Sequence, residues 1–134
     1  MRQRFGIDTS ILVRLVTGEP TLAFDETVAV LTRMVEREHD SFFASNMVIG
    51  EAYIALQHHY GINKTTARSG LRSVLTSGLV APSHGEAVLE ALATARGCGL
   101  IDRLIALQYS TDDMTTITLD RKMAALPRVT RLAI

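Results

Sequence analysis

Apolar positions along this chain fall into two alternating patterns, short unbroken runs and stripes at helical spacing. Phe5-Gly6-Ile7 is a short run that ends on Asp8. Helical spacing begins at once over residues 9–17 and closes on Gly18. Asp8 or Thr9 can cap the amino end of that helix, and glycine suits the position past its carboxyl end. Pro20 fits the first turn of a second helix, on which Phe24, Val28, Leu31 and Val35 share a face. Asp40 interrupts this pattern, and residues 41–44 read as a second short strand. Ser45 or Asn46 can cap a third helix that runs to Tyr60, with Met47, Val48, Ala52, Ala55 and Leu56 as its apolar side. Asn63 opens a fourth helix with Ala67, Leu71, Val74 and Leu75 inward and Gly78 past its end. Leu79-Val80-Ala81 predicts a third strand ended by Pro82. Ser83 with Glu86 has the spacing of a capping box for a fifth helix, lined by Leu89, Leu92 and Ala93 up to Gly97-Cys98-Gly99. A sixth helix carries Leu100, Ile101, Leu104, Ile105 and Leu107. The β-branched stretch Thr115 to Leu119 predicts a fourth strand running into Asp120. A short helix to Leu126 and, after Pro127, a terminal strand over residues 129–134 complete the chain.

Strands separated by helices imply a parallel sheet with helices on both faces. The expected fold class is therefore α/β, a three-layer sandwich around a short central parallel sheet of four to five strands. At 134 residues the chain is expected to form one domain, 1–134, large enough for its own core. A hydrophobic fraction of 47% with 21% charged residues places it among globular rather than disordered sequences. The formal net charge is zero, so no global field draws nucleic acid, and any such binding must come from a local patch. The single cysteine, Cys98, excludes an internal disulfide and fits a reducing compartment. No apolar run reaches membrane-spanning length, and Ile11-Leu12-Val13 is broken by Arg14. The expectation is a cytoplasmic protein without a membrane partner.

Four acids change the picture. Asp8 and Asp120 each directly follow an apolar strand, so a parallel sheet projects both from one edge. Glu51 lies early in the helix after the second strand, and Asp102 lies in the first turn of the sixth helix. The amino ends of such helices face the edge where the strands end, which is where open α/β sheets bind ligands. Carboxylates gathered together repel and are costly to desolvate, so a fold keeps them mainly around a cation. Oxygen ligands without neighbouring Cys or His point to Mg²⁺ or Mn²⁺ rather than zinc. A carboxylate-held divalent ion suits phosphodiester hydrolysis: it polarises a phosphoryl oxygen and lowers the pKa of bound water. Thr118, two residues before Asp120 on the same strand face, could orient such a water. Taken singly, Asp8, Asp102 and Asp120 are equally explained as helix-end residues. Glu51, in the apolar flow Met47-Val48-Ile49-Gly50-Glu51-Ala52, is harder to explain that way.

These residues resemble the PIN-domain family, and specifically its small VapC-type toxins from toxin–antitoxin pairs. Ile7-Asp8-Thr9-Ser10-Ile11-Leu12 is similar to the family's opening. Val48-Ile49-Gly50-Glu51-Ala52 is similar to its second motif, Leu100-Ile101-Asp102-Arg103-Leu104-Ile105-Ala106 to its third, and Thr118-Leu119-Asp120-Arg121-Lys122-Met123 to its fourth. The resemblance covers essentially the whole chain. Two positions depart from the pattern: Gly99 stands where another Asp often precedes the third acid, and Met123 stands where Phe is common. The resemblance implies a Mg²⁺- or Mn²⁺-dependent endoribonuclease with Asp8, Glu51, Asp102 and Asp120 as its catalytic and metal-binding acids. Asp8 and Asp102 would be the main ligands, Asp120 would support the coordination, and Glu51 would hold or activate the attacking water. It also implies an RNA substrate, a homodimer, and a small cognate antitoxin whose tail blocks the site. A housekeeping nuclease of RNA maturation or decay and a non-catalytic PIN-like binding module are the alternatives. Gly99 leaves open whether one metal or two would bind.

The remaining charged features are less telling. Lys64, Arg68 and Arg72 form a stripe on one helix face that could hold RNA phosphate, although a solvated face explains it as well. Arg14 and Arg103, close in sequence to Asp8 and Asp102, are nearer candidates for phosphate, or for pairing with a carboxylate. His58 and His59 end a helix, where positive charge suits the dipole. Cys98 between two glycines reads as a turn residue.

Overall fold

The computed structural model describes residues 2–134. Its first unit follows from local chemistry at Asp8. Strand β1 (Arg4–Gly6) ends two residues before the carboxylate, whose Oδ1 accepts the Ile11 N–H and caps helix α1 (Thr9–Thr17). Gly18 closes α1 in the left-handed region at φ 69°, its N–H donating to Arg14 O, and glycine meets that conformation without a Cβ penalty. Helix α2 (Thr21–Glu38) begins one residue later than the proline pattern predicts. Pro20 stands just outside it as the amino-terminal cap, its φ of −66° set by the ring.

Strand β2 (Ser41–Ala44) coincides with the sequence expectation. Helix α3 (Asn46–His58) is capped by Ser45 Oγ, which accepts from Val48 N, and α4 (Lys64–Leu75) by Asn63 Oδ1, which accepts from Thr66 N. Strand β3 is Val80–Pro82. Pro82 is part of it rather than its terminator, which an edge strand tolerates because a missing N–H costs no ladder bond there. The predicted capping box at Ser83 and Glu86 does not form. Gly85 occupies the cap position of α5 (Glu86–Ala93), and Ser83 Oγ lies 3.3 Å from His84 Nδ1 instead. Helix α6 (Leu100–Thr111) and strand β4 (Thr116–Thr118) follow. The short helix predicted after Asp120 is a single 3₁₀ turn, Met123–Ala125, and the last strand, β5 (Val129–Arg131), stops short of the chain end.

All five strands pair in parallel, as the alternation of strands and helices predicts. They form two ladders, a three-stranded sheet ordered β1-β2-β3 and a separate β4-β5 pair. The fold class is α/β, with a short sheet. Phe5 stacks on Phe42 across β1 and β2 with ring centroids 5.5 Å apart, and the Arg4 guanidinium lies 4.8 Å over the Phe43 ring. Helices α1, α3 and α4 pack on one another, and α4 and α5 cover β3. The main core is built from residues such as Leu12, Ile49, Leu56, Leu71 and Val88, each fully buried. Every such side chain contributes roughly 1.5–3 kcal/mol relative to exposure. The β4-β5 pair has its own small cluster, where Met123 packs with Cys98 and with Ala106 of α6.

Two expectations about helix faces change. Met47, assigned to the apolar side of α3, is 76% exposed, and the inward face is Ile49, Ala52, Tyr53 and Leu56. On α6 Leu100 and Leu104 are buried, whereas Ile105 is exposed. No helix among the described residues is long and apolar enough to cross a membrane.

Candidate active site

The β1-β2 register sets the first half of the site. Pairing of Gly6 with Phe43, extended by an Ile7 N–H to Phe43 O bond of 2.9 Å, ends the two strands side by side. Helices α1 and α3 therefore start from the same edge. Glu51 sits in the second turn of α3 and reaches α1, its Oε1 accepting the Thr9 hydroxyl at 3.1 Å. Asp8 and Glu51 are thus linked through the residue between them. Both are exposed to solvent. Asp8 Oδ1 accepts the Ser10 hydroxyl at 2.6 Å as well as the Ile11 N–H at 3.2 Å, and these bonds hold its carboxyl below the usual carboxylate range. Asp8 is therefore both helix cap and ionised acid.

The second half lies on α6 and the β4-β5 pair. Asp102 occupies the first turn of α6, half-buried, beneath a helix end whose cap residue, Gly99, offers no side chain. Asp120 Oδ1 accepts the Met123 N–H at 2.9 Å and so initiates the 3₁₀ turn. The Thr118 hydroxyl accepts the Asp120 N–H at 3.0 Å. It thus fixes the backbone of that acid, a different task from the water-orienting one expected of it. Asp102 and Asp120 meet around the Cys98 thiol. Burial pushes this thiol up; the two carboxylates add to the shift and Arg103 partly opposes it. A buried, protonated thiol is no nucleophile, in keeping with a turn residue.

The halves are joined by close packing of α3 on α6. Asn46 Nδ2 donates to Leu104 O at 2.9 Å in a buried bond, and a Cβ built on Gly50 would stand 3.1 Å from Ile101 Cδ1. These contacts set the residues beside Glu51 and Asp102 against each other. Neither was singled out by the sequence pattern beyond a capping role for Asn46. The phosphate role considered for Arg103 is not met. Its Nη2 donates to Arg96 O and its Nε to Cys98 O at 3.4 Å, so the guanidinium holds the 96–98 turn. Lys64 and Arg72 are exposed on α4, with Arg68 half-buried between them. His58 and His59 are exposed at the end of α3.

A divalent ion suits the chemistry of these acids but not their placement. The donors are carboxylates without thiolate or imidazole at hand, as a hard cation requires. Yet among the described residues no group of three or more His, Cys, Asp or Glu is positioned to hold a metal ion. The acids stand as two pairs, Asp8 with Glu51 and Asp102 with Asp120, and neither pair alone makes up such a group.

A short parallel α/β sheet with acids on its strand ends and helix starts is the architecture of a recognised domain class. The PIN domain family matches residues 6–129, and the chain belongs to that family. PIN domains are generally nucleases and typically use divalent metal ions. Among solved structures the chain is similar to VapBC2 from Rickettsia felis bound to a DNA fragment from their promoter. Identity is 18% over 98% of each chain, with a TM-score of 0.43. No curated relative matches the chain.

Proposed function

We propose that the chain is an endoribonuclease that hydrolyses RNA phosphodiester bonds, the toxin of a VapBC-type toxin–antitoxin pair. The observation that carries this reading is the Thr9–Glu51 bond, which links the acid of α3 to the acid that caps α1 at one sheet edge. It stands beside the four motifs in order along a PIN-domain chain. In this reading Asp8, Glu51, Asp102 and Asp120 are the catalytic and metal-binding acids, and Mg²⁺ or Mn²⁺ is the cofactor. The protein works in the cytoplasm as a homodimer, and a small cognate antitoxin silences it. The ionised, exposed Asp8 and Glu51 supply negative charge where a cation would enter, and the clamped 96–98 turn sets the start of the helix that carries Asp102.

The test is cleavage of structured and single-stranded RNA with Mg²⁺ or Mn²⁺ by the wild type, Asp8→Asn and Asp102→Asn. Loss of cleavage in both variants is expected, and equal cleavage by all three overturns the reading. Growth arrest on expression, relieved by a protein encoded beside it, separates a toxin from a housekeeping RNA nuclease.

A second reading, a PIN-like binding module that no longer cleaves, draws on the separation of the acids into two pairs and on Gly99. Titration calorimetry with Mn²⁺ distinguishes the two. Binding that is lost in Asp102→Asn favours the nuclease, and no binding at millimolar Mn²⁺ favours the module.

A further inference from the structure

Helix α3 is apolar on two sides. Ile49, Ala52, Tyr53 and Leu56 face the core, yet Met47 and Ile54 on the outer side are 76% and 47% exposed. Beside them Ile105 and Tyr109 of α6 are 42% and 44% exposed. Together they line a groove of 460 Å³ between the two helices, floored by Gly50 and Ile101. A helix that is hydrophobic all round is normally buried all round, and a contiguous apolar patch on a water-soluble surface marks an interaction site. Glu51 is the one charged residue of the lining, and Thr9 holds its carboxylate toward α1.

We infer that this groove is the face on which a second copy of the chain docks, two-fold, α3 and α6 against α3 and α6. The proposal rests on the preceding reading only for the existence of a dimer; the face is assigned independently. An isologous contact must be its own complement, and this one is. Met47 projects three residues from Gly50, whose missing side chain opens a recess, so knob and hole sit on one helix. Gln108 and Tyr109 each donate and accept hydrogen bonds, so the same residues can pair across the axis. The lining is rich in Met, Ile and Tyr and nearly free of charge, the composition of homodimer interface cores. With a formal net charge of zero, two copies meet without long-range repulsion. Because Glu51 belongs both to the groove wall and to the acidic edge, the docked copy borders each candidate site, and substrate reaches one site past the other protomer.

The experiment is sedimentation velocity of the full chain over a micromolar concentration series, with Ile54→Glu, Tyr109→Glu and Leu22→Glu. Leu22, 79% exposed on α2 and outside the groove, is the control. The wild type is expected to dimerise. Each groove variant is expected to weaken the dimer by about 30-fold or more, as for the loss of an interface anchor. Leu22→Glu should leave it unchanged. Far-UV circular dichroism should be unaltered throughout, since both groove residues are already partly exposed. A monomeric wild type overturns the assignment, as does a dimer that persists in both groove variants. A groove variant that still dimerises but no longer binds the antitoxin overturns it too, by giving the groove to that partner. If the variants dissociate while the wild type fails to cut RNA, the nuclease reading falls and the dimer face stands.

Discussion

Replacement of Asn46 tests the joint between the two halves of the acidic site. Its amide is 5% exposed; Nδ2 donates to Leu104 O at 2.9 Å while Oδ1 is buried without a partner. In Asn46→Ala the lost bond costs about 1 kcal/mol, the net value of a typical buried hydrogen bond. Against this, the unpaired Oδ1 is removed, which relieves a desolvation penalty of about 1–3 kcal/mol. Alanine also gains roughly 0.5 kcal/mol in helix propensity. The small void left behind offsets part of these gains, so the net change should lie within about 1 kcal/mol of zero. Asn46→Asp has the same shape and the opposite outcome. An ionised carboxylate cannot donate to Leu104 O, and it leaves an uncompensated buried charge worth about 3–5 kcal/mol. Its place in the first turn of α3 returns roughly 0.3–1 kcal/mol through the helix dipole. The deficit at neutral pH is then about 2–5 kcal/mol, or roughly 1–2.5 M in urea midpoint for a slope of about 2 kcal/mol/M. Burial raises the pKa of the introduced carboxyl. The protonated form, which can donate to Leu104 O, is therefore favoured by folding. Stability is retained below the ordinary carboxylate pKa of about 3.9 and lost as pH rises through the raised value. Urea titrations at pH 4 and pH 7 should show Asn46→Asp approaching the wild type only in acid. Equal stability of Asn46→Asp and wild type at pH 7 would refute the reasoning, as would a loss above about 2 kcal/mol in Asn46→Ala.

Three further outcomes are expected. Asp8→Asn should keep the α1 cap and melt near the wild type, whereas Asp8→Ala should melt lower in a thermal scan. The depressed pKa of Asp8 supports the fold above the ordinary carboxylate range and that support is lost as pH falls; Ser10→Ala should move the loss to higher pH in an NMR titration, and an unmoved titration would discount the Ser10 bond. Gly97→Ala should cost about 1–2 kcal/mol for a φ of 81°, measured by denaturant unfolding. Most of that cost should persist in an Arg103→Ala background, although Arg103 Nη2 lies 3.2 Å from the added Cβ, because a flexible side chain can move and the backbone cannot. Cys98 should resist thiol reagents in the native state and react quickly once unfolded; its raised pKa makes its stabilising contribution complete below about pH 8.5 and diminishing above it, and rapid native labelling at pH 7 would contradict its burial.

Much of this molecule is set by neighbours in sequence. Helix α1 begins and ends where Asp8 and Gly18 dictate, because a side-chain cap and a left-handed glycine act within four residues of the backbone they satisfy. Strand β2 is bounded by Asp40 and the Ser45 cap, and the same kind of chemistry starts α4 at Asn63. The four acids could be named from the chain for the same reason, since each stands at the end of a strand or the beginning of a helix. The tertiary structure decided how they associate. Glu51 finds Thr9 across 42 residues and Asn46 finds Leu104 across 58, and no local rule encodes either bond. It also chose which apolar side chains face inward on α3, leaving Met47 in solvent and burying Tyr53. Periodicity marks a stripe on a helix, but only the packed neighbours select which stripe is covered. The division of five parallel strands into two ladders is of the same kind. Strands of three or four residues carry little register information of their own, so their pairing is settled by the helices packed around them.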